Sequence, residues 1–410
     1  MSRIKNIIAS EIINSRGYPT IYGRLITDKG EEVVASVPSH EQLYDFQRSE
    51  LRDKDMNRFN GNGVQKAVSY INTLIAPKLK NVSVDKQSEI DNWLSKSNSG
   101  HNKDALGVNT TLIVSYLIAK ASAKCSRIPL YKYFNNFFKK VSDIVEEPVS
   151  IPSPIFPILK GGKHGQINLD FKEFQIIPSS AFGYFEAYQS GVDLYHLVRH
   201  AYKFGFNSNM DVIIALKDSV EKKGLAFGRD LFLGINFGAT AFYSGNRYSF
   251  RDRQQPISSE EYIKFINEEI LKKYSPLMII DPTPNNDNQN WAKLQALVPK
   301  ETYLVADTYI SSNRDRLEKA IKDKLCSAVV IRPNQVGTLT ETLLILDYAQ
   351  RNQITCQLAS ELGETDEDII ADLSVGVQVD FVNFGPPVHS ENVAKYNRLL
   401  EIDREISIKK

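Results

Sequence analysis

The chain has 410 residues, of which 42% are hydrophobic and 24% charged, fractions that exclude a disordered tail, a collagen or a disulfide-rich scaffold. Lys and Arg exceed Asp and Glu by one, so no electrostatic case arises for nucleic acid or an acidic membrane as partner. Three scattered cysteines, Cys125, Cys326 and Cys356, form no Cys-x-x-Cys pair and support neither a zinc ribbon nor a disulfide framework. The start lacks the long apolar core of a signal peptide, and no apolar run approaches a membrane span. A cytoplasmic protein is expected.

Residues 4–37 read as a strand meander, with Asp28-Lys-Gly marking a hairpin turn. Apolar spacing predicts helices over about 63–80 and 105–124, with Pro77 and Pro129 as punctuation. The proline-rich stretch from Glu147 onward reads as a linker into a second domain. Beyond it lie two strand-like segments, 155–159 and 171–177, then helices near 180–203 and 210–222. A regular alternation follows. Strand-like runs at 231–237, 277–280, 303–306, 328–331, 355–358 and 381–382 are separated, over the last five, by helical segments. Repeated βα units imply a parallel sheet, and this many after a strand pair predict an eight-stranded barrel. The alternative is an open doubly wound sheet. No Gly-x-Gly-x-x-Gly follows a strand to favour a dinucleotide fold.

A βα barrel places its chemistry at the carboxyl ends of its strands. Those positions are Asn236, Asp281, Asp307, Arg332, Ser360-Glu361 and Asn383, with Glu173 inside the second strand of the leading pair. Asp281 and Asp307 end successive strands and offer oxygen ligands suited to Mg²⁺. The alternative is that each is a turn or N-cap residue. Arg332 suits a carboxylate or phosphate ligand, or equally a structural ion pair with Asp307. His164 stands in a glycine-rich loop, Gly161-Gly-Lys-His-Gly. His196 and His200 have i, i+4 spacing but lack the Glu of a His-Glu-x-x-His metal motif.

Several ordered segments carry a family resemblance. They include Asn14-Ser-Arg-Gly-Tyr-Pro-Thr, Glu50-Leu-Arg-Asp, Gly61-Asn-Gly-Val-Gln-Lys-Ala-Val and Pro129-Leu-Tyr-Lys-Tyr. Further along stand Glu173-Phe-Gln-Ile-Ile-Pro, Asn334-Gln-Val-Gly-Thr-Leu-Thr-Glu-Thr, Gly363-Glu-Thr-Asp-Glu-Asp and Ala394-Lys-Tyr-Asn-Arg-Leu-Leu. Nearly end to end, the sequence resembles the enolases, which dehydrate 2-phosphoglycerate. The resemblance implies an N-terminal α+β domain over 1–140, a linker over 141–152 and a modified eight-stranded βα (TIM-type) barrel over 153–410. It also implies a homodimer.

The family's catalytic pattern is not carried over with the scaffold. The resemblance places Arg332 where the family has its general-base lysine, and arginine does not give up its proton. The Gly-Asp-Glu-Gly-Gly-Phe-Ala-Pro loop that carries the family's proton donor has no counterpart. Three metal-binding carboxylates map to Asn236, Asp281 (in place of Glu) and Asp307. The phosphate-binding Ser-His-Arg-Ser becomes Ala359-Ser-Glu-Leu, with Glu361 in place of an arginine, and the carboxylate-binding lysine becomes Asn383. The Ser-Gly-Ala-Ser-Thr-Gly lid becomes Ser39-His-Glu-Gln-Leu-Tyr. Glu173, His164, Asp281 and Asp307 are the remnants. The reading is a catalytically inactive enolase paralogue with a binding, scaffolding or regulatory role and a protein partner, for which a genuine enolase is one candidate. No bound cofactor is expected, with Mg²⁺ at most weakly held. The alternatives are residual phosphopyruvate hydratase activity or altered metal-assisted acid/base chemistry. Arg332 is expected within ion-pair reach of Asp307, Asp281 or Glu173. A mouth plugged by Arg332 and Tyr309 would oppose altered chemistry, and a closed polar pocket would favour it.

Overall fold

A computed structural model describes residues 2–408 except 40–45, 101–102, 144–146, 149, 163–164, 166–167 and 203–204. The chain opens with an antiparallel meander, β1 (Ile4–Ile13), β2 (Pro19–Thr27) and β3 (Glu32–Ser36), hydrogen-bonded in that order. Helix α1 (Gln65–Tyr70) continues through a π-helical turn (Ile71–Ile75) into α2 (Ala76–Leu79). Pro77 lies within this helical run, whose extent matches the span of about 63–80 expected from sequence. The wider turn before it absorbs the missing N–H and the clash of the proline ring with the preceding turn. Helices α3 (Gln87–Ser97), α4 (Val108–Cys125) and α5 (Leu130–Phe138) complete this unit. Nearly every residue of α4 is buried, because it packs on the meander while α3, α5 and the barrel cover its other sides.

The barrel opens with β4 (Ser153–Pro154), β5 (Phe156–Lys160) and β6 (Glu173–Pro178). Two helices follow, α6 (Tyr184–Ala201) and α7 (Asn209–Lys222), and then β7 (Leu231–Asn236). An excursion that the periodicity did not predict comes next. It holds a small antiparallel sheet, β8 (Tyr243–Ser244), β9 (Arg247–Tyr248) and β10 (Ile257–Ser258), and helices α8 (Ser259–Phe265) and α9 (Lys272–Tyr274). The tyrosine rings of Tyr248 and Tyr262 stack at 3.8 Å inside it.

The βα alternation then runs as read from the sequence. Its elements are β11 (Met278–Ile280), α10 (Asn288–Leu297), β12 (Tyr303–Ala306), α11 (Arg314–Lys322) and β13 (Ala328–Ile331). The last are α12 (Pro333–Val336), α13 (Leu339–Arg351), β14 (Thr355–Ala359), α14 (Ile369–Gly376), β15 (Phe381–Asn383) and α15 (Ser390–Ser407). The sheet order is β4-β15-β14-β13-β12-β11-β7-β6-β5. Strands β5, β6 and β7 pair antiparallel and the rest parallel. Only Ile155 separates β4 from β5, and its N–H reaches the Val382 carbonyl at 2.8 Å. The two segments thus act as one strand, and the sheet closes into an eight-stranded barrel.

Parallel strands covered on both faces read as unbroken apolar runs, as Ala-Val-Val-Ile does in β13. The floor of the barrel is apolar, with Ile155, Ile177, Met278, Val305 and Ala328 among its fully buried side chains. That packing leaves the opposite, carboxyl end of the strands for polar groups. Among the described residues no helix is long and apolar enough to cross a membrane.

Candidate functional site at the barrel mouth

A cavity of about 610 Å³ opens at the carboxyl ends of the strands. Seven of the residues singled out from the sequence line it: Glu173, Asn236, Asp307, Arg332, Ser360, Glu361 and Asn383. Asp281 does not. It follows β11 with a left-handed φ of 44°, a conformation tolerated by Asp because its short side chain bonds locally. Here that side chain turns onto the next strand end, accepting from the N–H of Asp307 at 3.0 Å and of Thr308 at 2.8 Å. The Thr308 hydroxyl adds a third bond at 2.6 Å. His164 lies outside the described residues, as do Gln42 and most of the segment that replaces the lid. His196 and His200 are exposed on α6. Tyr309 is buried against Trp291, its hydroxyl donating to Asn288 Oδ1 at 2.8 Å, and it does not plug the mouth.

Arg332 extends from the end of β13 across to β12. Its Nη1 donates to Asp307 Oδ1, and its Nη2 donates to Asp307 Oδ2 at 3.1 Å. Its Nε donates to the Ser360 carbonyl at 3.2 Å. The backbone of Arg332 is held as well, through a 2.9 Å bond from its N–H to Ser312 Oγ. Lys172 Nζ stands 4.0 Å from Asp307 Oδ2, and Lys160 Nζ stands 3.7 Å from Glu173 Oε1. The ion pair expected for Arg332 is therefore present with Asp307 as its partner.

The two buried aspartates respond oppositely to their surroundings. Burial, and then the charge of Asp307, pushes the Asp281 carboxyl up despite its three hydrogen bonds. Burial alone would raise Asp307 too, but Arg332 and Lys172 outweigh it and hold that carboxyl below the ordinary range.

Below this ring of charge lies a layer the sequence reading did not single out. Gln175 sits two residues beyond Glu173 on β6, and Gln357 two residues before Ala359 on β14, so strand alternation turns both into the barrel. Gln175 is fully buried and Gln357 is 3% exposed. Gln175 Nε2 donates to Glu173 Oε2 at 2.9 Å, which fixes the orientation of its amide. A Cβ at Gly234, its cross-strand neighbour, would come within 2.9 Å of Gln175 Oε1 and would make that side chain shift. Among the described residues, Gln175 Oε1, Gln357 Oε1, Asn236 Oδ1 and Ser360 Oγ are all buried without a hydrogen-bond partner, and all four residues line the cavity. A polar residue at an alternation position inside a strand was the available signal.

Residues 202–208 connect α6 to α7. Ser208 caps α7 through a reciprocal capping box with Asp211. Asn209 Oδ1 accepts from the N–H of Asp170 at 3.0 Å and of Phe171 at 3.1 Å, tying this corner to the strand pair.

A barrel with an antiparallel leading pair, preceded by a meander and helices, is an enolase-type arrangement, and the comparisons agree. The family model for the enolase C-terminal TIM barrel domain matches residues 148–410, and that for the enolase N-terminal domain matches residues 4–134. Proteins named enolase from Ehrlichia canis and Ehrlichia chaffeensis are 33% and 32% identical to this chain over 420 aligned positions. Each alignment covers 99% of the chain and 97% of the relative. One from Ehrlichia ruminantium is 33% identical over 98% of the chain and 96% of its own length. The chain belongs to the enolase family.

Proposed function

We propose that this protein is a catalytically inactive enolase relative whose barrel mouth has become a binding site, and that it acts as a homodimer or beside a protein partner. The observation that carries this reading is the two-pronged grip of Arg332 on Asp307. A guanidinium cannot accept the proton that a base must remove. It also places a fixed positive charge on the carboxylate that a metal would need.

The donor set does not fit Mg²⁺. Both oxygens of Asp307 are engaged by Arg332, and those of Asp281 by Asp307 N–H and by Thr308. Asn236 brings no charge. Octahedral Mg²⁺ demands accessible oxygen ligands in near-ideal geometry, which these side chains do not offer. In this reading Arg332 takes over the electrostatic role of a cation, neutralising a buried carboxylate that would otherwise be costly. Glu361 and Asn383 offer no counter-charge to a phosphate or a carboxylate.

The test is phosphoenolpyruvate formation from 2-phosphoglycerate at high Mg²⁺. The control is an Asp307→Ala protein purified identically, because host enolase is a contaminant to exclude. Equal, background turnover in both is expected. Turnover that disappears in the control would overturn the reading. Arg332→Lys alone is expected to remain at background, because the proton-donor loop and the phosphate ligands are still missing.

One pair of observations favours a second reading, retained hydratase activity or altered acid/base chemistry. The relatives named enolase match over almost the whole chain, and Tyr309 does not plug the mouth. The same assay decides between the readings. For the homodimer, sedimentation at micromolar concentration is expected to give about twice the chain mass, and a monomer alone would remove it.

A further inference from the structure

We infer that the buried amide layer of the barrel is a binding site for a neutral polyhydroxylated small molecule, a polyol or monosaccharide. The inference deepens the reading of the mouth as a binding site and rests on it. The observations are the orphaned acceptors Gln175 Oε1, Asn236 Oδ1 and Gln357 Oε1 and the hydroxyl of Ser360, all buried and all on one cavity.

A buried acceptor left unpaired is destabilising, because it has given up water and gained nothing in return. Four such atoms belong to residues that line one cavity, and small side-chain rotations bring them to a guest that donates hydrogen bonds. The Gln175 amide cannot turn its N–H₂ to the cavity instead, because that group is spent on Glu173. Gly234 keeps the space that the Gln175 side chain needs.

Charge argues for a neutral ligand. The cavity is lined by five cationic side chains, Arg16, Lys160, Lys172, Arg199 and Arg332, and four carboxylates, Glu173, Asp307, Glu361 and Glu391. Arg332 and Lys172 converge on Asp307, Lys160 faces Glu173, and Arg199 donates to the Tyr195 hydroxyl at 2.7 Å. An anion would meet amide oxygens in the deep layer, and a cation would meet Arg332 and Lys172 at the rim. Hydroxyl groups suit the deep layer because each donates a hydrogen bond without carrying charge. A volume of about 610 Å³ accommodates a molecule of this class.

The test is calorimetric titration of the full chain with glycerol, erythritol, xylitol, myo-inositol and D-glucose, each to high millimolar concentration. Gln175→Met and Gln357→Met, which keep volume and remove the acceptor, are titrated in parallel. The inference expects saturable binding of at least one of the five by the wild-type chain. It also expects a loss of at least about tenfold in each variant. The melting temperature of ligand-free Gln357→Met is expected to hold or rise, since an orphaned acceptor is removed, whereas Gln175→Met also loses the bond to Glu173 and is read by binding alone; a merely structural role for Gln357 would lower its melting temperature. No saturable binding by the wild-type chain means that water fills the layer, and overturns the inference. Binding unchanged in both variants overturns it equally. None of these titrations reads turnover, so failure of this inference and failure of the inactive-enzyme reading are told apart by separate measurements.

Discussion

Asp281 and Asp307 end neighbouring strands, are both buried, and are pushed in opposite directions, because only Asp307 has cations within reach. The side chains of the Arg332–Asp307 pair are 13% and 4% exposed. Breaking such a pair from one side strands the other charge, at a cost of about 3–5 kcal/mol, whereas replacing both partners with apolar groups can be nearly neutral. Asp307→Ala and Arg332→Met are therefore each expected to lower the urea midpoint strongly, and the double variant to recover much of that loss. Additive losses in the double variant would show that the two residues do not act as a unit. The partnership was one of two readings open for Arg332 from its place at a strand end. The position of Asp281 behind the strand ends was not legible, because it depends on a single positive φ. Nor were Gln175 and Gln357 legible as site residues, because they lie two positions away from the strand ends that the search used.

The elements of the barrel were legible because buried parallel strands leave continuous apolar runs that need no partner to be seen. Those of the excursion after β7 were not. Its strands are two residues each, too short for any alternation to register. Helix α3 escaped for another reason. It offers only Ile90, Trp93 and Leu94 as an apolar face, its N-cap residue Lys86 makes no side-chain cap, and Gln87 and Asp91 are buried polar residues. Capping marks the start of α7. Ser208→Ala removes the capping box of α7 and is expected to cost about 1 kcal/mol, read as a lower urea midpoint with unchanged slope. The matching change at Ser258, which caps α8 in the same way, is expected to cost a similar amount. No change at Ser208 would mean that packing alone sets the start of α7.

Across the whole molecule, one hydrophobic cluster runs from Ile4 in the meander to Ile402 in α15, so the two matched domains share a core. Polar ties cross the same boundary. Asp91 on α3 accepts from the Thr340 N–H at 2.9 Å and hydroxyl at 2.7 Å at the start of α13. Lys120 on α4 pairs with Glu367 at 2.6 Å. A single calorimetric unfolding transition is expected, and two resolved transitions would contradict the shared core. Burial raises the Asp91 carboxyl, with the Thr340 and Gln87 hydrogen bonds pulling the other way. A carboxyl raised on folding contributes stability that is complete below its unfolded value, about 4, and is lost as pH rises through the folded value. Asp91→Asn does not titrate. Its stability relative to wild type is therefore expected to improve from about pH 4 to 7, read by urea unfolding at each pH. A flat difference would show that Asp91 titrates in the folded protein as it does in the unfolded chain.

The loop that presents Ser360 and Glu361 is stitched to the other domain a few residues later. Ser39 N–H reaches the Gly363 carbonyl at 2.9 Å and Ser15 N–H reaches that of Glu364 at 2.9 Å, while a Cβ on Gly363 would fall 2.4 Å from the Ser39 carbonyl. With so little slack, opening this loop requires these amides to let go as well. Occupancy of the mouth therefore has a remote reporter. Whatever settles against Ser360 damps the opening of both segments together, and the slowed deuterium uptake of Ser15 and Ser39 would signal a guest in the barrel from within the neighbouring domain.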